Sequence, residues 1–384
     1  MQLLKKILFQ THWLLGITGG IVLAFIGVTG AVLSFENELV TALNDGIVTV
    51  APRDEPRLTP PELLARAAER NPARRVMSLD VAFESSRAPR VGFAPLTAPV
   101  EGPRRPEWRY VDPYTAEPLG EVRAEAFFRT TRDLHRYLAA GDMGKQIVGA
   151  STAALLVLAL SGLYLRWPRG GQSWRAWLSI DRRLTGRAFL FRLHAVVGTF
   201  VLPLYLVAAL TGLTWSYESY RAYVYVALGA PAPQRPGGPP PAANRGEPVD
   251  VVAALESAWP IVVATAGVMR SATITLQESK DRPIEVRYFA PDAPHERAMN
   301  RLVIDAAGNV AAQENFADKP TGARLAGSIF PLHRGSYFGV VGTLLMMVAS
   351  MLMPLFAVTG ILMYLARRRR MTEATLPAWQ PGDT

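Results

Sequence analysis

Apolar residues gather in four runs, Ile7 to Phe35, Ile147 to Trp167, Phe189 to Tyr217 and Tyr337 to Ala366, with long polar stretches between them. Each run meets the roughly 20 residues that a helix needs to cross a bilayer, so four transmembrane helices are expected. The first run is too long for a secretory signal and lacks a small-residue cleavage site, so it is expected to stay as a helix. In the polar stretches the pattern shortens. Asn37 to Asn44 reads as a brief amphipathic piece, and Leu58 to Asn71 as a helix opened by Thr59-Pro60-Pro61-Glu62, with prolines at its start and an acid for the dipole. Val76 to Phe83, Arg109 to Val111 and Pro118 to Val122 read as strands, the last two joined by a turn at Asp112-Pro113-Tyr114-Thr115. A linker rich in Pro and Gly, Ala230 to Pro248, leads to a similar series: a helix over Val249 to Trp259, strands over Ser271 to Gln277, Ile284 to Phe289 and Leu302 to Ile304, and a turn from Asp305 to Asn309. Phe127, Phe128, Leu134 and Leu138 place an amphipathic helix over Glu125 to Leu138, with a break at Ala140-Gly141-Asp142 before the second span.

The series is a repeat. His12, Gly16, Thr29-Gly30, Ser34 and Glu36 recur as His194, Gly198, Thr211-Gly212, Ser216 and Glu218, all at an ungapped offset of 182. Leu134-His135-Arg136 and Gly162 recur as Leu332-His333-Arg334 and Gly360 at an offset of 198. Four of the five histidines thus take matching positions on four apolar segments. The expected fold class is a membrane α-helical protein of four transmembrane helices arising by tandem duplication, each half carrying a small α+β domain outside the membrane. The segments are 7–36 (first helix), 37–132 (first outer domain), 133–167 (interfacial helix and second helix), 168–188 (basic loop), 189–217 (third helix), 218–330 (second outer domain), 331–366 (fourth helix) and 367–384 (tail).

Charge orients this arrangement. Lys5 and Lys6 precede the first run, seven Arg against the single Asp181 fill 166–192, and Arg367 to Arg370 follow the last run. Lys and Arg beside spans are retained in the cytoplasm, which puts both termini and the short middle loop there and the two long polar segments outside. The net charge of +9 is explained by this topology, and no nucleic-acid partner is expected. The lipid bilayer is the partner that composition demands. There are no cysteines, which excludes disulfides, thiolate-held clusters and covalent haem attachment.

With that orientation His12 and His194 lie near the inner face and His135 and His333 near the outer face. From His135 to Arg166 a single helix would measure about 46 Å at 1.5 Å per residue, beyond a hydrocarbon core of about 30 Å, so His135 and His333 are expected at or just outside the interface. Two imidazoles from separate helices can ligate a haem iron between them. Two haem b groups are therefore expected, one per pair. Gly16 and Gly198 lie one turn from the inner histidines and would leave room for a porphyrin, or merely let helices approach. Arg136 and Arg334 would pair with haem propionates or anchor the interface. Glu36 and Glu218 read as solvated helix ends, Met346, Met347, Met351 and Met353 as packing, and Trp13, Trp167, Trp215 and Tyr337 as interface anchors. His295, in a polar stretch beside Pro294 and Glu296, is read as solvated.

The N-terminal span with its histidine, the sequence Tyr110-Val111-Asp112-Pro113-Tyr114-Thr115-Ala116 with its weaker echo at Asp305, the Leu-His-Arg motifs and the terminal Thr359-Gly360 span resemble the PepSY-associated transmembrane proteins, iron-regulated inner-membrane proteins of bacteria. Within that family the layout is similar to the four-helix, two-haem ferric-siderophore reductases of the FoxB kind. The resemblance implies PepSY-like periplasmic domains, haem ligation by His12, His194, His135 and His333, and electron transfer across the inner membrane to a hydroxamate ferric siderophore. Ala306 and Ala307 stand where the first copy has Pro113 and Tyr114, a departure in the second copy. No Gly-x-Gly-x-x-Gly fingerprint is present, so the donor would be a quinol or a separate cytoplasmic reductase. Two other classes stay open at this point: a non-enzymatic PepSY binding or regulatory protein, and a siderophore or haem transporter.

Overall fold

The computed structural model describes residues 2–84, 86–94, 106–167, 174–181, 183–231, 250–276 and 284–375. Val249, Gln277 and most of the expected linker from Ala230 to Pro248 lie outside these. In chain order the elements are α1 (Gln2–Leu33), α2 (Glu36–Leu43), α3 (Pro60–Arg70), β1 (Val76–Ala82), β2 (Arg90–Phe93), β3 (Glu107–Val111), β4 (Pro118–Gly120), α4 (Glu125–Tyr137), α5 (Gly141–Arg166), α6 (Trp174–Leu178) and α7 (Gly186–Ser216). They continue with α8 (Glu218–Ala227), α9 (Val251–Ala266), β5 (Ser271–Thr275), β6 (Ile284–Phe289), β7 (Asn300–Ile304), β8 (Val310–Glu314), α10 (Thr321–Gly327), α11 (Ile329–Arg334), a 3₁₀ turn at Ser336–Phe338, α12 (Gly339–Met351) and α13 (Met353–Thr375). They fall into two compact units. One comprises Met1–Phe35, Phe127–Arg221 and Ile329–Thr384, the other Glu36–Ala126 and Ala222–Ser328.

The first unit is helical. Gln2–Leu33, Gly141–Arg166, Gly186–Ser216 and Ser336–Arg368 are each long and apolar enough to cross a membrane. α1 packs on α5, α12 and α13, and α7 packs on α5 and α13. Leu23, Leu155, Val201, Tyr205, Ala209 and Ala349 form the buried centre, where the Tyr205 hydroxyl donates to the Ala349 carbonyl at 2.8 Å. The fourth span is not one helix. It breaks at Leu352, two residues before Pro354, whose missing N–H cannot bond the Ser350 carbonyl. Gly27 fits against that break, because a Cβ there would lie 2.5 Å from both the Ser350 carbonyl oxygen and Met353 Cβ. Met346 is buried in the bundle as expected of packing, whereas Met351 is exposed.

The second unit is a single antiparallel sheet in the order β4-β3-β2-β1-β5-β6-β7-β8. The two polar segments, expected as separate small domains, share it through the β1–β5 pair, where Leu79 faces Ile274 and both are fully buried. Leu63, Leu64 and Ala67 of α3 and Leu255, Ala258 and Val262 of α9 pack into the same core. α3 begins as its sequence dictates: the Thr59 N–H donates to the Glu62 carboxylate at 2.8 Å, a capping box. α9 runs on past Pro260 to Ala266, seven residues beyond its expected end at Trp259. Pro260 removes the partner of the Glu256 carbonyl, but both residues are exposed, so no buried acceptor is stranded, while Val262 continues the buried stripe. β2 and β8 are strands that the sequence did not announce. β2 is four residues with Gly92 inside it, over which the Trp108 ring lies; β8 is the Ala-rich edge Val310–Glu314.

Candidate functional site

The four matched histidines meet in two pairs within the helical unit. The ring centroids of His12 and His194 are 6.3 Å apart with the planes at 67°, and those of His135 and His333 are 6.4 Å apart at 65°. Each imidazole is held through Nδ1 by a hydroxyl on a different helix. His12, on α1, meets Ser161 Oγ of α5 at 2.9 Å, and His194, on α7, meets Thr359 Oγ1 of α13 at 2.7 Å. His135, on α4, meets Thr29 Oγ1 of α1 at 3.1 Å, and His333, on α11, meets Thr211 Oγ1 of α7 at 2.9 Å.

The direction of these bonds follows from the helices. Ser161, Thr359, Thr29 and Thr211 each donate their own hydroxyl hydrogen to the carbonyl four residues back: Val157 at 2.5 Å, Leu355 at 2.7 Å, Phe25 at 2.9 Å and Val207 at 2.5 Å. The oxygen is left as an acceptor, so Nδ1–H donates to it. At the second pair the main chain confirms the sense, since Nδ1 of His135 also lies 3.1 Å from the Ile26 carbonyl and Nδ1 of His333 lies 3.1 Å from that of Ala208. A carbonyl only accepts. With Nδ1 as donor, Nε2 carries the lone pair on all four rings.

Sharp corners present the second pair. After α4, Leu138 and Ala139 have φ of 50° and 53°, and a Cβ on Gly144 would lie 1.6 Å from the Tyr137 carbonyl oxygen. After α11, Gly335 has φ of 87°, and a Cβ on Gly342 would lie 2.2 Å from its carbonyl oxygen. Only glycine permits either approach. Gly144 and Gly342 stand 198 residues apart, as do Gly141 and Gly339 and as do Ser161 and Thr359, so the offset of the Leu-His-Arg motif was the signal that could have found them.

Aromatic rings close one side of each pair. Phe356 stands edge-on to His194 at 5.1 Å, and Trp215, expected as an interface anchor, packs on His333 at 5.2 Å. Trp13 stacks on Tyr364 at 5.4 Å. Gly16 and Gly198 keep the positions the sequence gives them, four residues beyond His12 and His194; a Cβ would meet Leu158 at 3.9 Å and Phe356 at 3.4 Å respectively. Arg334 Nε donates to the Ser34 carbonyl at 3.0 Å at the end of α1, and the Arg136 guanidinium lies over the Tyr137 ring at 5.1 Å.

His295 stands apart from these pairs and is not solvated as its neighbours suggested. Its ring is buried against Phe316, Nδ1 accepts from the Arg297 N–H at 3.2 Å, and Nε2–H donates to Ser328 Oγ at 2.8 Å. Ser328 in turn donates to the Arg324 carbonyl at 2.7 Å. The imidazole is therefore the donor to that serine, and this is a structural contact rather than a base facing a nucleophile. Burial comes from Ser328 and Phe316, far along the chain, which the local sequence could not disclose.

The two pairs can be tested for the group they fit. Among the described residues no cluster of three or more His, Asp or Glu side chains gathers as it would around a bare metal ion. Two imidazoles suit an iron whose other four ligands come from a macrocycle. If two imidazoles shared one metal, a bond of about 2.0 Å on each side and about 1.1 Å more to each ring centre would put their centroids about 6.2 Å apart. The observed 6.3 and 6.4 Å fit that separation. No curated protein matches the chain. The family described as the PepSY-associated TM region matches residues 9–367, nearly the whole length. The protein, whose described residues include four helices long and apolar enough to cross a membrane, belongs to the PepSY-associated transmembrane family.

Proposed function

We propose that the protein is an oxidoreductase of the bacterial inner membrane that holds two haem b groups, one per histidine pair, and passes electrons to a ferric siderophore of the hydroxamate type outside. The observation that carries this reading is the pair of matched spacings, with Nε2 left as the lone-pair nitrogen on every ring. A haem, when bound, carries one electron at its iron. The chain's own part is to hold four imidazoles on rigid helices, to exclude water with Trp215 and Phe356, and to keep the two layers apart by the Tyr205 core. The basic flanks support cytoplasmic termini, so that electrons enter at His12 and His194 from a quinol or a separate cytoplasmic reductase and leave from His135 and His333. The ungapped repeats and the mirrored strand order about β1–β5 support a tandem duplication, with the sheet unit as the periplasmic PepSY-like part. Arg136 and Arg334, next in sequence to the outer histidines, would pair with propionates, and Gly16 and Gly198, four residues after the inner ones, would give a porphyrin clearance.

At the acceptor, one electron converts Fe(III) to Fe(II), which hard oxygen ligands hold far less tightly, so release needs no acid or base from the protein. Protein reduced under anaerobic conditions and mixed with a ferric hydroxamate siderophore should reoxidise while an Fe(II)-specific chelator develops colour. Reduced protein that stays reduced in the presence of the siderophore would exclude it as the acceptor.

A further inference from the structure

We propose that Ser161, Thr359, Thr29 and Thr211 are positioning residues that fix each histidine as its Nδ1–H tautomer and set the reduction potential of the two layers independently. This rests on the haem reading above. A hydroxyl could serve an imidazole in either sense, but here each is already committed as a donor to its own helix at 2.5–2.9 Å, so it can only accept from Nδ1. A histidine that donates through Nδ1 is the stronger base at Nε2 and stabilises the more highly charged ferric state. The layers share none of these four groups: Ser161 and Thr359 serve only the His12–His194 layer, and Thr29 and Thr211 only the His135–His333 layer.

The residue after each hydroxyl is glycine, and it acts on the same ring. A Cβ on Gly162 would lie 3.2 Å from His12 Cε1, one on Gly30 would lie 3.0 Å from His135 Cε1, and one on Gly212 would lie 3.3 Å from His333 Cε1. Cε1 is the carbon between the two ring nitrogens, so these contacts set where Nε2 stands. Beside Gly360 there is open space within 4 Å. The Ser/Thr-Gly dipeptide thus works as one device, the hydroxyl fixing the proton and the glycine admitting the ring, and three of its four copies are tight.

Spectroelectrochemical titration of the purified protein tests this, read in two backgrounds, His135→Ala to isolate the inner layer and His12→Ala to isolate the outer one. Thr359→Val should raise the inner potential by about 59 mV, a tenfold change in the ferric-to-ferrous ratio for a one-electron couple, and leave the outer one unmoved. Thr211→Val should raise the outer potential by less, because the Ala208 carbonyl still accepts from His333 Nδ1, and leave the inner one unmoved. Thr359→Ser and Thr211→Ser, which keep the hydroxyl, should restore the original values, also where the Val variant loses haem outright. Gly30→Ala should weaken haem retention in the outer layer, whereas Gly360→Ala should not do so in the inner one. Potentials unmoved by both Val variants in protein that retains its haem would overturn the proposal while leaving the haem reading intact. A wild type that binds no haem would overturn both, and the colourless starting protein would identify that outcome.

Discussion

A histidine buried as the neutral ring ties stability to pH, and His295 is such a residue. Burial holds its pKa below the ordinary value, with Glu296 opposing in part. Above about pH 6.5 both folded and unfolded chains carry it neutral; as the pH falls below that, the unfolded chain takes up a proton that the folded chain refuses, so stability declines until the lowered folded pKa is passed. Thermal unfolding of wild type should therefore lose more between about pH 7.5 and about pH 5.5 than that of His295→Gln. Equal losses in the two proteins would show that His295 titrates alike folded and unfolded. The contrast with the other four histidines shows what the sequence can disclose. Those were legible because position, not surroundings, marked them: two fixed offsets on apolar segments. The hydroxyls that hold them were half legible: Thr29 and Thr211 share one offset and Ser161 and Thr359 the other, but their part shows only once their helices face the histidines.

Long periodic or apolar stretches are legible in the sequence, as are short strands beside clear turns such as β4 and β7, whereas β2 and β8 are not. α1, α5 and α7 and the strands β1 and β6 follow from hydrophobic pattern alone. β2 and β8 escaped because four or five residues carrying Gly92, or Ala311 and Ala312, give too little alternation, and their pairing partners supply the rest. Proline acted in opposite ways: α9 absorbs Pro260 on its exposed side, while Pro354 divides the fourth span at Leu352. The sheet's seam is its most consequential joint. Leu79 on β1 and Ile274 on β5 are both fully buried where the two halves of the chain pair. Truncation in a close-packed core costs about 2–5 kcal/mol. Leu79→Ala should destabilise both half-sheets together, so that hydrogen exchange accelerates in β6 and β7 as well as in β1 and β2. Acceleration confined to β1 and β2 would mean that the halves are independent folding units.

The chain joins a helical unit able to cross a membrane four times to a sheet assembled from two distant segments, and the family to which it belongs matches nearly all of it. Apolar runs and repeats disclosed the helices and the pairing of the histidines, and the resemblance of the quoted motifs pointed to the family; the merging of two α+β segments into one sheet depended on the β1–β5 contact across 193 positions between Asp80 and Thr273, which no local pattern encodes. The two-layer histidine arrangement is the centre of the functional account. Its most direct test is the oxidised and dithionite-reduced visible spectrum of the purified protein, with haem measured per chain, for wild type, His12→Ala and His135→Ala. Wild type should carry two b-type haems and each variant one. A wild type that stays colourless after incubation with haem would contradict the haem reading.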